Sequence, residues 1–330
     1  MKLRIFSILL ALLMLVPLAS CTKTPADPVS VNVYTLNGTT GFGMAKMMND
    51  AKTAENASVK YNFNVKTDAS DVTAALINGD ADIAALPTNA AANVYQKTNG
   101  GVKILAVNTL GCLYLLTTDG STVTSFADLR GKTVYVPAQN PTFIFKYLCQ
   151  QNGLTVGTDI FIENQYAQPA ALKDAVANGS VALAVLPEPM VTIATNAGAQ
   201  SNVTVSNVMD LTAEWNKVNT PDTLVQGCIV VRTEFLAKNP EAVEAFLTAY
   251  QASINYLSTN LDDAAQMIVD NGIFTSAPVA KKAIPKCNVC YLDGAKMKTA
   301  METYLGVLYS IAPASVGGAL PEDDFYYNAK

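Results

Sequence analysis

Hydrophobic and polar positions along this chain form a pattern that occurs twice. Residues Ala75 to Pro87 read ALINGDADIAALP, and residues Ala175 to Pro187 read AVANGSVALAVLP. Aligned by position, the two share Ala75/Ala175, Asn78/Asn178, Gly79/Gly179, Ala84/Ala184, Leu86/Leu186 and Pro87/Pro187. In each, a helical spacing of apolar residues ends at Asn-Gly, a pair suited to the left-handed conformation that terminates helices. An apolar run of the length of a buried strand follows and stops at Leu-Pro. Upstream, Val31 to Tyr34 and Thr133 to Val136 are each an apolar strand opening into a turn. Strand, turn, helix, strand and helix therefore recur, which predicts two similar α/β lobes. In open α/β sheets ligands bind beyond the carboxyl ends of the strands, where helix N-termini present unpaired N–H groups. Two such lobes facing each other predict a cleft.

Four mouths line that cleft. At the first, Asn37, Gly38, Thr39 and Thr40 combine a glycine that permits close backbone approach with hydroxyls that cap a helix or donate to a ligand. The stretch is not G-x-G-x-x-G and no acidic ribose partner follows, which argues against a nucleotide. At the second, Thr88 and Asn89 open a helix, as caps, as ligand contacts or as both. Gln139, Asn140 and Thr142 present neutral donors and acceptors at the third. Glu188, at the fourth, occupies the position of Thr88 in the second repeat and is the one acid at the mouths. It either complements its helix dipole, worth roughly 0.3–1 kcal/mol when exposed, or receives a ligand amine.

Two long apolar runs, Val102 to Thr117 broken at Gly111 and Leu224 to Val231 with Gly227 at the matching place, predict two crossings between lobes. Lobe I then begins at 29–115, lobe II is 116–225, and the return strand and C-terminal helices of lobe I occupy 226–330. Asn239-Pro240-Glu241 starts a helix whose buried face is Val243, Phe246, Leu247, Tyr250, Ile254 and Leu257. Two further helices, near 262–270 and 295–311, are expected to pack back on lobe I before a polar tail from Pro321.

Composition adds a location. With 330 residues, half of them hydrophobic and 15% charged, the chain can bury two cores. Residues 1–20 have a basic start at Lys2 and Arg4 and an apolar run from Ile5 to Val16, too short to span a membrane but suited to an export signal. Leu18-Ala19-Ser20-Cys21 resembles the lipobox of bacterial lipoproteins, which makes Cys21 the expected lipidation site and 21–28 a tether. At about 0.8 kcal/mol per buried methylene, a two-chain anchor holds the protein at the outer face of the cytoplasmic membrane. Cleavage takes the formal charge from −5 to −7, which argues against nucleic acid as a partner. Of the remaining cysteines, Cys112 and Cys228 each follow glycine in apolar strands and could face each other where the lobes join, while Cys287 and Cys290 are expected as packing residues or a local disulfide. The chain has no histidine, and neither a metal nor a cofactor is expected. Trp215 is expected at a partly buried surface position.

Several motifs then coincide in order: Phe126-Ala-Asp-Leu-Arg-Gly-Lys-Thr-Val, Leu186-Pro-Glu-Pro, Val231-Arg-Thr-Glu-Phe-Leu, Asn239-Pro-Glu-Ala-Val and the lipobox. Together they resemble substrate-binding lipoproteins of ABC importers, of the nitrate/sulfonate/taurine and NMT1/THI5-like group. The resemblance implies a type II periplasmic-binding-protein fold with two hinge crossings, closure on a small ligand, and delivery to a permease and its ATPase. A monomer without enzymatic activity is expected; the alternative is a surface receptor that presents its ligand to a sensor or another surface component. None of the four mouths carries Arg or Lys, which argues against a strongly anionic ligand. At a ceiling near 1.5 kcal/mol per non-hydrogen atom, nitrate reaches about 6 kcal/mol, short of the roughly 8 that micromolar capture requires. A somewhat larger organic molecule is therefore expected.

Overall fold

The computed structural model describes residues 27–54 and 57–328, so the leader, Cys21 and most of the tether lie outside the described residues. The first lobe opens with β1 (Val29–Leu36), α1 (Thr39–Phe42), α2 (Ala45–Ala51), β2 (Val59–Lys66), α3 (Ala69–Asn78), β3 (Ile83–Pro87), α4 (Thr88–Lys97) and β4 (Val102–Leu110). The second contains β5 (Leu113–Thr117), β6 (Thr133–Tyr135), α5 (Asn140–Gln151), β7 (Phe161–Glu163), α6 (Pro169–Ala177), β8 (Leu183–Pro187), α7 (Met190–Gln200), β9 (Ser206–Asp210) and α8 (Leu211–Val218). The chain returns through β10 (Val225–Arg232), α9 (Thr233–Lys238), α10 (Pro240–Thr259), α11 (Leu261–Asp270), α12 (Ala277–Ala283), β11 (Val289–Leu292) and α13 (Gly294–Ile311).

The repeated pattern corresponds to a repeated topology. The first sheet runs β11-β4-β10-β3-β1-β2 and the second β9-β5-β8-β6-β7, the same order once the edge strand β11 is set aside. Pairing senses agree as well: β1 lies parallel to β2 and β3, as β6 does to β7 and β8. Even the register is shared, with Tyr34 opposite Ala84 in one sheet and Tyr135 opposite Ala184 in the other. Asn-Gly ends both repeat helices as its chemistry dictates, with Gly79 at φ 86° and Gly179 at φ 74°.

The crossing strands interlock the lobes. β5 follows β4 directly, yet pairs with β8 and β9 of the second sheet. The passage therefore falls at Gly111 and Cys112, short of the 115/116 division expected above. Burial does not mark the change of sheet, because all of β5 is as buried as most of β4, the polar Asn108 and Thr109 of β4 included. Close approach explains both crossing glycines. A Cβ at Gly111 would lie 2.3 Å from Thr212 Oγ1 and 2.5 Å from Leu224 Cδ2, and one at Gly227 would lie 2.4 Å from Asn108 Oδ1.

Of the C-terminal helices, only the last departs from expectation. α10 buries the predicted face against lobe I, but α13 packs on α4 of the first lobe and on α5 of the second. Its Met297, Met301, Tyr304 and Leu308 belong to one apolar core that includes Leu86 and Val107 of the first sheet and Leu115 and Val134 of the second. Trp215 on α8 is completely buried in that core, between Tyr147 of α5 (ring centroids 5.2 Å apart) and Tyr304 of α13 (5.9 Å). The expected surface position was wrong because nothing local to α8 announces the helix that covers it. Nor is the tail merely polar: Phe325 is fully buried, and Tyr326 forms a bridge to Ile104.

Candidate ligand site between the lobes

Each lobe directs two helix starts at the other, those of α1 and α4 from the first and α5 and α7 from the second. They meet in two places. In one, the Thr39 hydroxyl donates to the Glu188 carbonyl at 2.9 Å. In the other, Asn140 Nδ2 donates to Asn89 Oδ1 at 2.7 Å. Four of the sequence-predicted residues are thus brought together across the junction.

The others serve their own lobes. Gly38 adopts φ 79° and ψ −157°, a conformation open essentially to glycine, and donates its N–H to the Ile273 carbonyl. Asn37 is exposed and donates to Thr67 Oγ1 at 3.4 Å, while the Thr40 carbonyl accepts from Asn108 Nδ2 at 3.2 Å. The buried Thr88 hydroxyl donates to the Val225 carbonyl at 2.7 Å, tying the second mouth to the return strand. Gln139 is exposed at φ 65° and forms no side-chain cap. Thr142 is buried, donating to the Pro137 carbonyl and accepting from Asn164 Nδ2.

Glu188 is buried, and its carboxylate accepts from Thr192 N at 3.1 Å and Thr192 Oγ1 at 3.0 Å, inside its own helix start. Burial pushes its carboxyl above the ordinary range, against the two Thr192 bonds and the charge of Lys286. Lys286 Nζ stands 3.9 Å from Glu188 Oε1, and the Lys286 carbonyl accepts from Tyr114 OH of the second lobe at 3.0 Å. A cation therefore does stand at the junction, contrary to the reading of the four mouths alone. It arrives on a turn following α12, in a stretch without motif or repeat, so only the fold reveals it. Ser315 was also missed: its carbonyl accepts from Asn89 and Asn93 beside α4, and its hydroxyl, like Asn140 Oδ1, is buried without a partner. A small molecule with donors and acceptors is the chemistry such atoms suit.

The thiols are also rearranged relative to expectation. All five described cysteines are free. Cys228 sits opposite Val107 and Leu86 within the first sheet, while Cys112 lies beside the turn carrying Cys287. Among the described residues, no group of three or more Cys, Asp or Glu is placed to hold a metal.

Known structures share this architecture. A structure described as an ABC transporter from Parabacteroides distasonis superposes with a TM-score of 0.76 at 24% identity, covering 92% of this chain and 100% of that one. The periplasmic aliphatic sulphonate binding protein SsuA from Escherichia coli gives 0.72 at 15% identity, covering 92% and 94%. The periplasmic nitrate-binding protein NrtA from Synechocystis PCC 6803 gives 0.63 at 14% identity, covering 87% and 83%. The two-lobed type II periplasmic-binding-protein fold is thus the fold of this chain. No curated protein sequence matches it. The NMT1/THI5-like family profile matches residues 53–264, most of the chain, and the chain belongs to that family.

Proposed function

We propose that the protein is an extracytoplasmic solute-binding lipoprotein, anchored through Cys21, that captures a small organic molecule by closing its lobes and delivers it to the permease and ATPase of an ABC importer. The observation that carries this reading is the meeting of four helix starts, two from each lobe, through Thr39 with Glu188 and Asn89 with Asn140. The names of the sulphonate- and nitrate-binding structures of the same fold support it. Asn37, Gly38, Thr39, Thr40, Thr88, Asn89, Gln139, Asn140, Thr142 and Glu188 are the proposed ligand-facing set. Lys286 extends it and makes an acidic group on the ligand acceptable.

A thermal-shift screen of sulfonates, nitrate, pyrimidines, amines and aromatic acids, followed by calorimetry, tests the reading. One class should raise the Tm and bind at micromolar Kd, with weaker binding in Asn140→Ala. Binding unaffected by Asn140→Ala and Thr39→Val together would place the ligand elsewhere. Mass spectrometry of the membrane-extracted protein should find diacylglyceryl on Cys21; an unmodified N-terminus there removes the anchor.

A further inference from the structure

The segment that crosses between lobes, residues 110–114, runs beside the turn at residues 286–288. The Leu110 N–H donates to the Asn288 carbonyl at 3.0 Å, Asn288 Nδ2 donates to the Gly111 carbonyl, and Tyr114 OH donates to the Lys286 carbonyl at 3.0 Å. Asn288 turns the chain there in the left-handed region, at φ 48°. Cys112 and Cys287 are the residues next to that Gly111–Asn288 contact. A second route joins them: Glu188 N donates to the Cys112 carbonyl at 2.9 Å, the Glu188 carbonyl accepts from Thr39 Oγ1 at 2.9 Å, and the same hydroxyl lies 3.6 Å from Cys287 Sγ. A disulfide spans Cα separations of about 4.4–6.8 Å, so only residues on directly adjoining segments, as these two are, can form one.

We propose that Cys112 and Cys287 are an oxidisable pair whose disulfide pins the first crossing to the turn of lobe I that closes over it. The oxidant is a small-molecule disulfide such as glutathione disulfide. Cys112, deprotonated, attacks one glutathione sulfur and expels a glutathione thiolate; Cys287, deprotonated, then attacks the Cys112 sulfur and expels the second. Two protons pass from the protein thiols to the two leaving thiolates, the protein pair loses two electrons and the small disulfide gains them. In the closed protein burial pushes the Cys112 thiol up to about 12 and raises Cys287 as well, so the closed junction protects the pair and the reaction proceeds through the parted one. The oxidising surroundings and the parting of the lobes rest on the reading above; the adjacency of the two cysteines does not, and its test uses no ligand.

Purified full-length mature protein is incubated with glutathione disulfide, alkylated and mapped by mass spectrometry. The expected result is loss of two of the five thiols in Cys112, Cys149, Cys228, Cys287 and Cys290, a linked Cys112–Cys287 peptide, a higher Tm, and reversal of all three by dithiothreitol. Cys112→Ser and Cys287→Ser should each abolish the linked peptide and the Tm increase. A Cys287–Cys290 bridge, stable glutathione adducts on Cys112 or Cys287, or five unreacted thiols would each overturn the proposal. Should either serine variant fail to fold, the map of the unmodified sequence still decides the pairing.

Discussion

Two seams join the lobes, and they are built from different materials. Along α13 a single apolar core runs from one sheet to the other, with Trp215 wedged between Tyr147 and Tyr304. On the other side, α12 meets α7, but the cores beneath them are separate, one holding Ala283 and Ile284 and the other Val191 and Leu186. The contacts described there are polar: Thr39 on the Glu188 carbonyl and Lys286 near its carboxylate. Magnitudes decide which seam yields. An aromatic buries 150–250 Å² at about 25 cal/mol per Å², or roughly 4–6 kcal/mol as an upper bound, whereas an intramolecular hydrogen bond contributes about 1 kcal/mol net. Parting of the lobes is therefore expected at the polar seam, pivoting on the apolar one.

The strongest way to break this contrast is to remove the pivot. Trp215→Ala empties a fully buried site in the shared core and should cost about 3–5 kcal/mol in denaturant unfolding. Because Trp215 is the one tryptophan in the chain, unfolding is followed by circular dichroism. A loss below about 1 kcal/mol, typical of a surface aromatic, would mean that α13 does not bind the lobes together. Gly111→Ala comes next. Its Cβ must displace Thr212 and Leu224 at the crossing, which should cost about 1–3 kcal/mol, while an unchanged Tm would show that the crossing has slack.

Much of the fold was legible beforehand, and the reason is physical. Repeat elements such as Ile83–Pro87 and Leu183–Pro187 carry their own punctuation, since Asn-Gly and Leu-Pro act on local backbone geometry. The four helix starts at Thr39, Thr88, Asn140 and Met190 were legible for the same reason, since strand ends and helix starts follow from the pattern. What stayed hidden depends on contacts distant in sequence. β11 is a short, half-buried edge strand, and α12 has seven residues, so neither generates a periodicity. Lys286 reaches Glu188 and Cys287 approaches Cys112 only because the return path folds over the crossing. Trp215 is covered by a helix about ninety residues later.

Smaller effects sharpen the polar side of the contrast. Thr39→Val removes the donor to the Glu188 carbonyl, and should shift the balance between parted and closed lobes by about 1 kcal/mol with little change in unfolding free energy. Small-angle scattering of the ligand-free protein should then show a larger radius of gyration. If the radius is unchanged while the protein is destabilised, Thr39 supports lobe I rather than the junction.

The smallest expected effect concerns Glu188. Burial raises its carboxyl above the ordinary 4.5, so the folded state holds this proton more tightly than the unfolded chain does. Its contribution to stability is fully present below 4.5 and is lost as pH rises through the folded value. Charged and titratable groups nearby shape that loss: Lys286 favours the ionised carboxylate, while Cys112 and Cys287, neutral thiols under these conditions, leave it unopposed. Glu188→Gln keeps an acceptor for Thr192 N and Oγ1 but cannot ionise, so its stability should decline less between pH 4.5 and pH 8 than that of the parent, by urea midpoint at each pH. Lys286→Met should do the opposite and steepen the decline, because the ionised carboxylate then has no cation near it. Parallel pH profiles for all three proteins would mean that burial at the junction does not govern the ionisation of Glu188, and would remove its carboxylate from the polar seam.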